Sequence, residues 1–106
     1  MKKPINDVED LDVWQRAMDL GEVIYQVIGV LPSEERFALG VQLRKCVVSI
    51  PSNIAEGYGR RREAFTQLHL IRRIGLCDAE LVDKALNLSR RVGQMLTKLI
   101  QSLGSD

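Results

Sequence analysis

Ten consecutive uncharged residues, Cys46 to Ala55 (CVVSIPSNIA), hold a proline in the middle of a helical pattern, and no other stretch of this chain limits its fold so strongly. A surface helix keeps one polar face, so a helix segment without charge is expected to be covered on all sides, by its own fold or by a partner. Pro51 removes a backbone donor and crowds the preceding turn, which predicts a bend in that helix and a Val47 carbonyl deprived of its usual partner. Ser49, Ser52 and Asn53 stand close enough to repair the bonding there. The principal apolar stripe of this helix is Leu39, Leu43, Val47, Ile50 and Ile54, in steps of three or four residues. Beside it runs a ladder of small and polar residues, Gln42, Cys46, Ser49, Asn53 and Glu56, which need partners if buried. The third flank, Val41, Val48 and Ala55, has only Lys45 and Ser52 to meet water. Ser33 is the expected N-cap, Glu34 and Glu35 suit the first turn, and Gly57 or Gly59 is the expected stop. The segment reads as a kinked core helix, with a small-molecule pocket at the kink as the alternative.

The helix before it is the plainest in the sequence. Val13, Ala17, Leu20, Ile24, Val27 and Leu31 form one seam, and Trp14, Met18, Gly21, Tyr25 and Ile28 form a second beside it, giving a wide apolar face. Asp12, Gln15, Arg16, Asp19, Glu22 and Gln26 lie opposite. Asp7 or Asp10 is placed to cap the start, and Pro32 ends the helix.

Beyond Arg60, Arg61 and Arg62 a third helical region contains Phe65, Leu68, Ile71 and Ile74. From Glu63 to Leu103 there is no proline, while apolar residues continue in heptad order through Leu81, Ala85, Leu88, Val92, Met95 and Leu99. One helix from Arg62 to Leu103 would be about 63 Å long at 1.5 Å per residue, about twice the first helix. Either a turn interrupts it, at Gly75–Asp78 with Asp78 as N-cap or at Asn87–Arg91, or a neighbouring chain receives its far half.

Length bounds these readings. A chain of 106 residues with 45% hydrophobic content is expected to form a single domain over residues 1–106. No uncharged apolar run approaches the roughly 20 residues that span a bilayer, and the N-terminus turns acidic where a signal peptide turns apolar, so the expectation is a cytoplasmic protein without membrane contact. Cys46 and Cys77 lie within apolar helical patterns and read as packing cysteines. The overall charge of +1 hides an asymmetry: residues 1–35 hold eight acids and three bases, residues 36–106 six acids and twelve bases. Such a split makes complementary faces within one molecule or between copies.

The stretch from Leu11 to Ile71 carries a resemblance. Val13-Trp14-Gln15, Gln42-Leu43-Arg44, and VSIPSNIAEG from Val48 to Gly57 followed by basic residues are similar, nearly position for position, to bacterial four-helix-bundle proteins first known from open reading frames in intervening sequences of 23S ribosomal RNA genes. The similarity covers residues 10–75, and Gly93 to Leu103 also looks like that family's final helix. The chain departs from the pattern between these parts: Ala79-Glu80-Leu81 is followed too soon by the tail, so the third-to-fourth helix connection is shortened or fused. The resemblance implies an all-α, up-and-down four-helix bundle, here with a Pro-kinked second helix, that assembles into a ring, commonly a homopentamer, with no known catalytic activity. It gives Pro51, Asn53, Glu56 and Gly57 the part of a structural motif. The accessory protein of diversity-generating retroelements looks like a relative, and it binds nucleic acid and a reverse transcriptase through a basic surface.

The basic residues form four clusters, Arg44 with Lys45, Arg60 to Arg62, Arg72 with Arg73, and Arg90 with Arg91. Arginine suits phosphate, and these nine are the candidate nucleic-acid contacts. With only Tyr58 and Phe65 as neighbouring aromatics, backbone contacts to RNA or DNA are favoured over base stacking. The competing reading pairs these cations with the acidic first helix or with neighbouring subunits. No catalytic residue, metal ligand or cofactor is assigned. His69 has Thr66 three residues before it, so the Glu-x-x-His element of di-iron bundles is absent, and one His with two Cys is a poor zinc set. Glu56 is expected to be partly buried and paired with a following arginine. The sequence thus points to a non-enzymatic, ring-forming interaction scaffold whose partner is itself or another protein, with a nucleic-acid-binding accessory as the alternative and an enzyme last.

Overall fold

A computed structural model describes residues 11–104, except for the side chains of residues 54, 55 and 104. The described residues form helices α1 (Asp12–Val30), α2 (Ser33–Ser52), α3 (Ile54–Ile74) and α4 (Ala79–Gly104), with no strand among them. Each helix packs on the two that neighbour it in the cyclic order α1, α2, α3, α4, and neither diagonal pair meets. This is an up-and-down bundle of square cross-section, as short connections between antiparallel helices dictate.

The first seam of α1 enters the core almost whole: Ala17, Leu20, Ile24, Val27 and Leu31 are buried. The second seam does not. Gly21 and Ile28 are buried, but Met18 and Tyr25 are 41% and 49% exposed, because α1 touches only α2 and α4 and a face wider than two contacts leaves one edge in solvent. Leu11, not an aspartate, holds the N-cap position, and its carbonyl accepts from the Trp14 and Gln15 amides at 3.1 and 3.2 Å. The expected caps Asp7 and Asp10 lie outside the described residues. At the other end Leu31 turns extended before Pro32, as a residue preceding proline must. Arg36 Nε donates to the Leu31 carbonyl at 3.0 Å, so the first turn of α2 satisfies the end of α1.

Pro32, not Ser33, occupies the N-cap position of α2, and its carbonyl accepts from Glu35 and Arg36. The end of α2 differs more from expectation. The helix stops at Ser52, five residues before Gly57, and the chain changes direction at Asn53, whose φ and ψ of −153° and 123° are extended. Pro51 therefore lies in the last turn of α2. Gly57 and Gly59 belong to α3, which the Asn53 side chain starts by accepting from the Glu56 amide at 3.1 Å. Asn53 serves both helices, since its own amide donates to the Ser49 carbonyl at 3.3 Å. A side chain that caps the next helix outweighs a left-handed glycine further on, and so the chain breaks at the asparagine.

The uncharged segment is not enclosed within the chain. Cys46 and Ile50 are buried, yet Val48 is 62% exposed and Ser52 and Asn53 face solvent. Of the two covers expected, the chain's own fold does not supply one on this flank: α2 packs only on α1 and α3, and the side bearing Val41 and Val48 points away from both.

The connection from α3 to α4 is resolved at Gly75–Asp78. Gly75 takes a left-handed conformation (φ 79°), and the amides of Gly75 and Leu76 both return to the Ile71 carbonyl, at 3.0 and 3.1 Å. This αL termination separates the two helices, so they are not fused. The Asp78 carbonyl then accepts from Val82 at 3.2 Å. Arg72 and Asp83 bridge α3 to α4 just past the turn, 3.0 Å apart and half exposed. The core between the four helices includes Leu43, Leu68, Ile71, Val82, Ala85, Val92 and Leu96.

Candidate functional site

The corner between α2 and α3 gathers the motif residues Pro51, Asn53, Glu56 and Gly57. One extended residue separates two antiparallel helices, so their backbones meet almost at once. A Cβ on Gly57 would lie 2.5 Å from the Ile50 carbonyl oxygen and 3.1 Å from the Ile50 Cα. Only a glycine fits against that backbone. The hydroxyl of Ser52 donates to the Val48 carbonyl, and that of Ser49 reaches Glu56 Oε1 at 3.5 Å. Glu56 is exposed, not partly buried, and lies 3.6 Å from Arg60. An apolar hollow of about 310 Å³ opens beside the corner, lined by Leu11, Val13, Trp14, Ile50, Pro51 and Leu96 among others, and no titratable side chain lines it. Its polar lining, Ser52 and Asn53, is engaged by backbone at the corner, the one with the Val48 carbonyl and the other with the Glu56 amide, which leaves little with which to orient a ligand.

The nine cations take different positions. Arg44 and Lys45 are exposed on α2. Arg60 is committed to acids of its own helix, Glu63 at 2.9 Å and Glu56 at 3.6 Å. Arg62, Arg73 and Arg91 are exposed, and Arg72 is paired with Asp83. None of the described ion pairs joins a basic cluster to α1, whose own pair is Arg16 with Asp19 at 2.6 Å.

Two members, however, converge across the α3–α4 seam. The guanidinium carbons of Arg61 and Arg90 lie over the Phe65 ring, 5.6 and 5.3 Å from its centroid, within cation–π range. His69 meets the same ring edge-on at 4.5 Å. Gly93 lets Arg61 lie down on α4, since a Cβ there would be 2.7 Å from the Arg61 guanidinium carbon. Burial pushes the Arg61 guanidinium below its ordinary pKa, and its buried Nε has no hydrogen-bond partner. The groove is completed by Gln94, Thr97 and Lys98. The sequence reading named Arg61 and Arg90 but not their union, and it missed Lys98 and Gln94; their spacing on one helix face was visible, but the facing helix was not known until the turn at Gly75 was placed.

A second surface was only half seen. On α2, Phe37 is 84% exposed, and Val41 and Val48, four and eleven residues on, share its face. Met18 and Tyr25 do the same on α1, seven residues apart, and together with Gly21 and Val47 they line an apolar depression of about 380 Å³. Glu22 lies on the α1 side of this surface and Arg44 on the α2 side. Val48 was read from the sequence as covered, by the fold or by a partner, Val41 was placed on the same flank, and Phe37 was not singled out.

Among the described residues no helix is long and apolar enough to cross a membrane, and no three His, Cys, Asp or Glu side chains converge as metal ligands would. No curated protein matches the chain. A family model described as 23S rRNA-intervening sequence protein matches residues 9–65, more than half of the 106 residues. That stretch runs through α1, α2 and the Asn53 corner to Phe65, and so includes Gly57, where a Cβ would meet the Ile50 backbone. A match there, on a bundle of this topology, makes the chain a member of the 23S rRNA-intervening sequence protein family.

Proposed function

We propose that the protein is a non-enzymatic, self-associating scaffold of the cytoplasm, a ring of identical subunits built through the outer face of α1 and α2. The observation that carries this reading is the exposed row Phe37, Val41 and Val48 on α2 together with exposed Met18 and Tyr25 on α1, two helices that share the depression lined by Met18, Tyr25 and Val47. Contiguous apolar surface of this kind marks an interaction site. A second copy is the partner that suits it, because the same surface bears an acid on α1, Glu22, and bases on α2, Arg44 and Lys45, and these find no carboxylate or cation within their own chain among the described ion pairs. A copy rotated so that its α2 meets its neighbour's α1 pairs the two signs. Such a head-to-tail contact closes into a ring if the rotation allows, and the family resemblance favours five subunits.

Light scattering tests this. The expected mass is a multiple of 12.0 kDa. Phe37→Glu and Val48→Lys replace side chains outside the core and should give monomers with unchanged helical content. A wild-type monomer, or an unchanged mass for both variants, refutes the reading. Ile50, which is buried, is unsuited to the purpose, since a lysine there would unfold the chain whatever its assembly.

A second reading, contact with a nucleic-acid backbone, is favoured by a separate observation. From Ala85 to Gly104, α4 carries Arg90, Arg91 and Lys98 and no acid, and the facing α3 has after Glu56 only Glu63, which is engaged by Arg60. Backbone binding of this type weakens steeply with salt.

A further inference from the structure

We propose that the groove between α3 and α4, formed by Arg61, Arg90, Gln94 and Lys98 around Phe65, is a binding site for a phosphate group. This deepens the nucleic-acid reading and rests on it for the source of the phosphate.

Three observations carry the inference. The groove is lined by three cations and no carboxylate, and none of the three has an ion-pair partner among the described pairs. Like charges held together without a counter-charge repel, and an arrangement that keeps them so is stable only with an anion supplied from outside or with strong support from packing. Second, Arg61 is held in place by that packing. It lies against Gly93 and over Phe65, with its Nε buried and unpartnered. A buried donor left without an acceptor is costly, and an oxyanion is the natural acceptor for a guanidinium edge. Third, the second arginine is braced. Arg90 Nη1 donates to Asn87 Oδ1 at 3.0 Å, and Phe65 lies beneath its guanidinium, so Arg90 reaches the groove without the full entropy cost of a free side chain. Gln94 and Lys98, one turn apart on α4, add an amide and an ammonium at the same wall. A phosphate has enough oxygens to meet donors arriving from several directions, and the groove, at about 470 Å³, admits it with room for the chain on either side.

The test follows the arginine side chains themselves. In a two-dimensional proton–nitrogen spectrum of the full chain, inorganic phosphate should move the Nε–H resonances of Arg61 and Arg90. In a separate arm, a fluorescent single-stranded 20-mer is titrated by anisotropy at several salt concentrations. Lys98→Gln and Arg90→Gln alter exposed side chains, and each should weaken both ligands about tenfold and lower the salt slope for the 20-mer by about one. Lys84→Gln, on another part of α4, should leave both unchanged. Circular dichroism confirms that each variant is folded. If the 20-mer binds but the two arginine resonances stay still and the variants match wild type, the groove is not the site and the nucleic-acid reading survives alone. If phosphate binds in the groove and the 20-mer does not, the site stands and its source is a free phosphate. No response to either ligand at low salt overturns both.

Discussion

Replacing Gly57 with alanine tests the corner that sets the bundle, because two effects of opposite sign meet there. Gly57 lies in the first turn of α3, where alanine is worth up to about 1 kcal/mol over glycine from backbone entropy alone. Against this, the new Cβ would stand 2.5 Å from the Ile50 oxygen, inside the distance any real methyl tolerates, and the atom it meets is backbone and has no rotamer to escape into. The corner has to open, which strains the Asn53 cap and the 2.6 Å bond from the Gly57 amide to the Asn53 carbonyl. Overpacking of this kind costs ~1–3 kcal/mol, and losing the cap about 1 kcal/mol more, so the expected net loss is ~2 kcal/mol. Gly59 supplies the control. It is two residues along the same helix, has nothing within 4 Å of its would-be Cβ, and its alanine variant should gain up to about 1 kcal/mol. Urea titrations of both variants followed by circular dichroism measure the difference, which should reach ~2–3 kcal/mol with unchanged slope. If Gly57→Ala is as stable as Gly59→Ala, the helices do not approach as described and the account of the corner is wrong.

Three other outcomes follow from single residues. Asn53→Ala removes the cap on the Glu56 amide and should cost about 1 kcal/mol, whereas Asn53→Asp, which keeps the acceptor, should recover most of it in the same urea assay. Ser89 is fully buried with a hydroxyl that has no partner, so Ser89→Ala should leave stability unchanged or raise it by up to about 1 kcal/mol, unlike most core substitutions; a clear loss would mean the hydroxyl is satisfied. Cys46 is also buried, and burial, aided by Glu63, pushes its thiol up to about 11 from an ordinary 9.0. The native state thus holds the thiol proton more tightly than the unfolded chain does. The resulting stability is complete below pH 9 and is lost as pH rises from about 9 to 11, a change of ~3 kcal/mol at the limit that Cys46→Ala should not show. In alkylation at pH 8, Cys77, which is partly exposed, should be modified before Cys46.

The parts of the fold that were legible are those where periodicity or punctuation has one meaning. The α1 seam from Ala17 to Leu31 and the stop at Pro32 are of this kind; Gly75, the only residue described with a positive φ, was one of two turn sites the sequence left open. Seven-residue periodicity was ambiguous through α3 and α4, since it runs on past the turn and does not reveal that the chain reverses. The Asn53 corner was misplaced for a different reason: glycine was taken as the stop, but Gly57 serves a close approach rather than a left-handed turn. Absence of charge did not say whether the fold or a partner covers the outer flank of α2, because Val48 is exposed in the single chain for want of a third neighbouring helix, which its own sequence does not reveal. The groove was invisible in the same way, as Arg61 and Arg90 are 29 residues apart and meet only once the reversal is known.

The cyclic order of the helices has a consequence for how these surfaces work together. With α1 touching α2 and α4, and α3 touching α2 and α4, the α1–α2 edge and the α3–α4 edge are opposite sides of the square. A copy that docks on Met18, Tyr25, Val41 and Val48 therefore leaves the Arg61–Arg90 groove uncovered. Each added subunit then contributes another groove at a fixed spacing. Weak sites repeated on a rigid frame bind one long polyanion far more tightly than any of them alone, since every contact after the first is intramolecular. The avidity depends on assembly, so a variant such as Phe37→Glu should reduce binding to a long nucleic acid while leaving the affinity for inorganic phosphate unaltered. An equal loss for both ligands would mean that the apolar face and the groove are not independent, and the corner at Asn53, which fixes α2 against α3, would be the first place to look for the coupling.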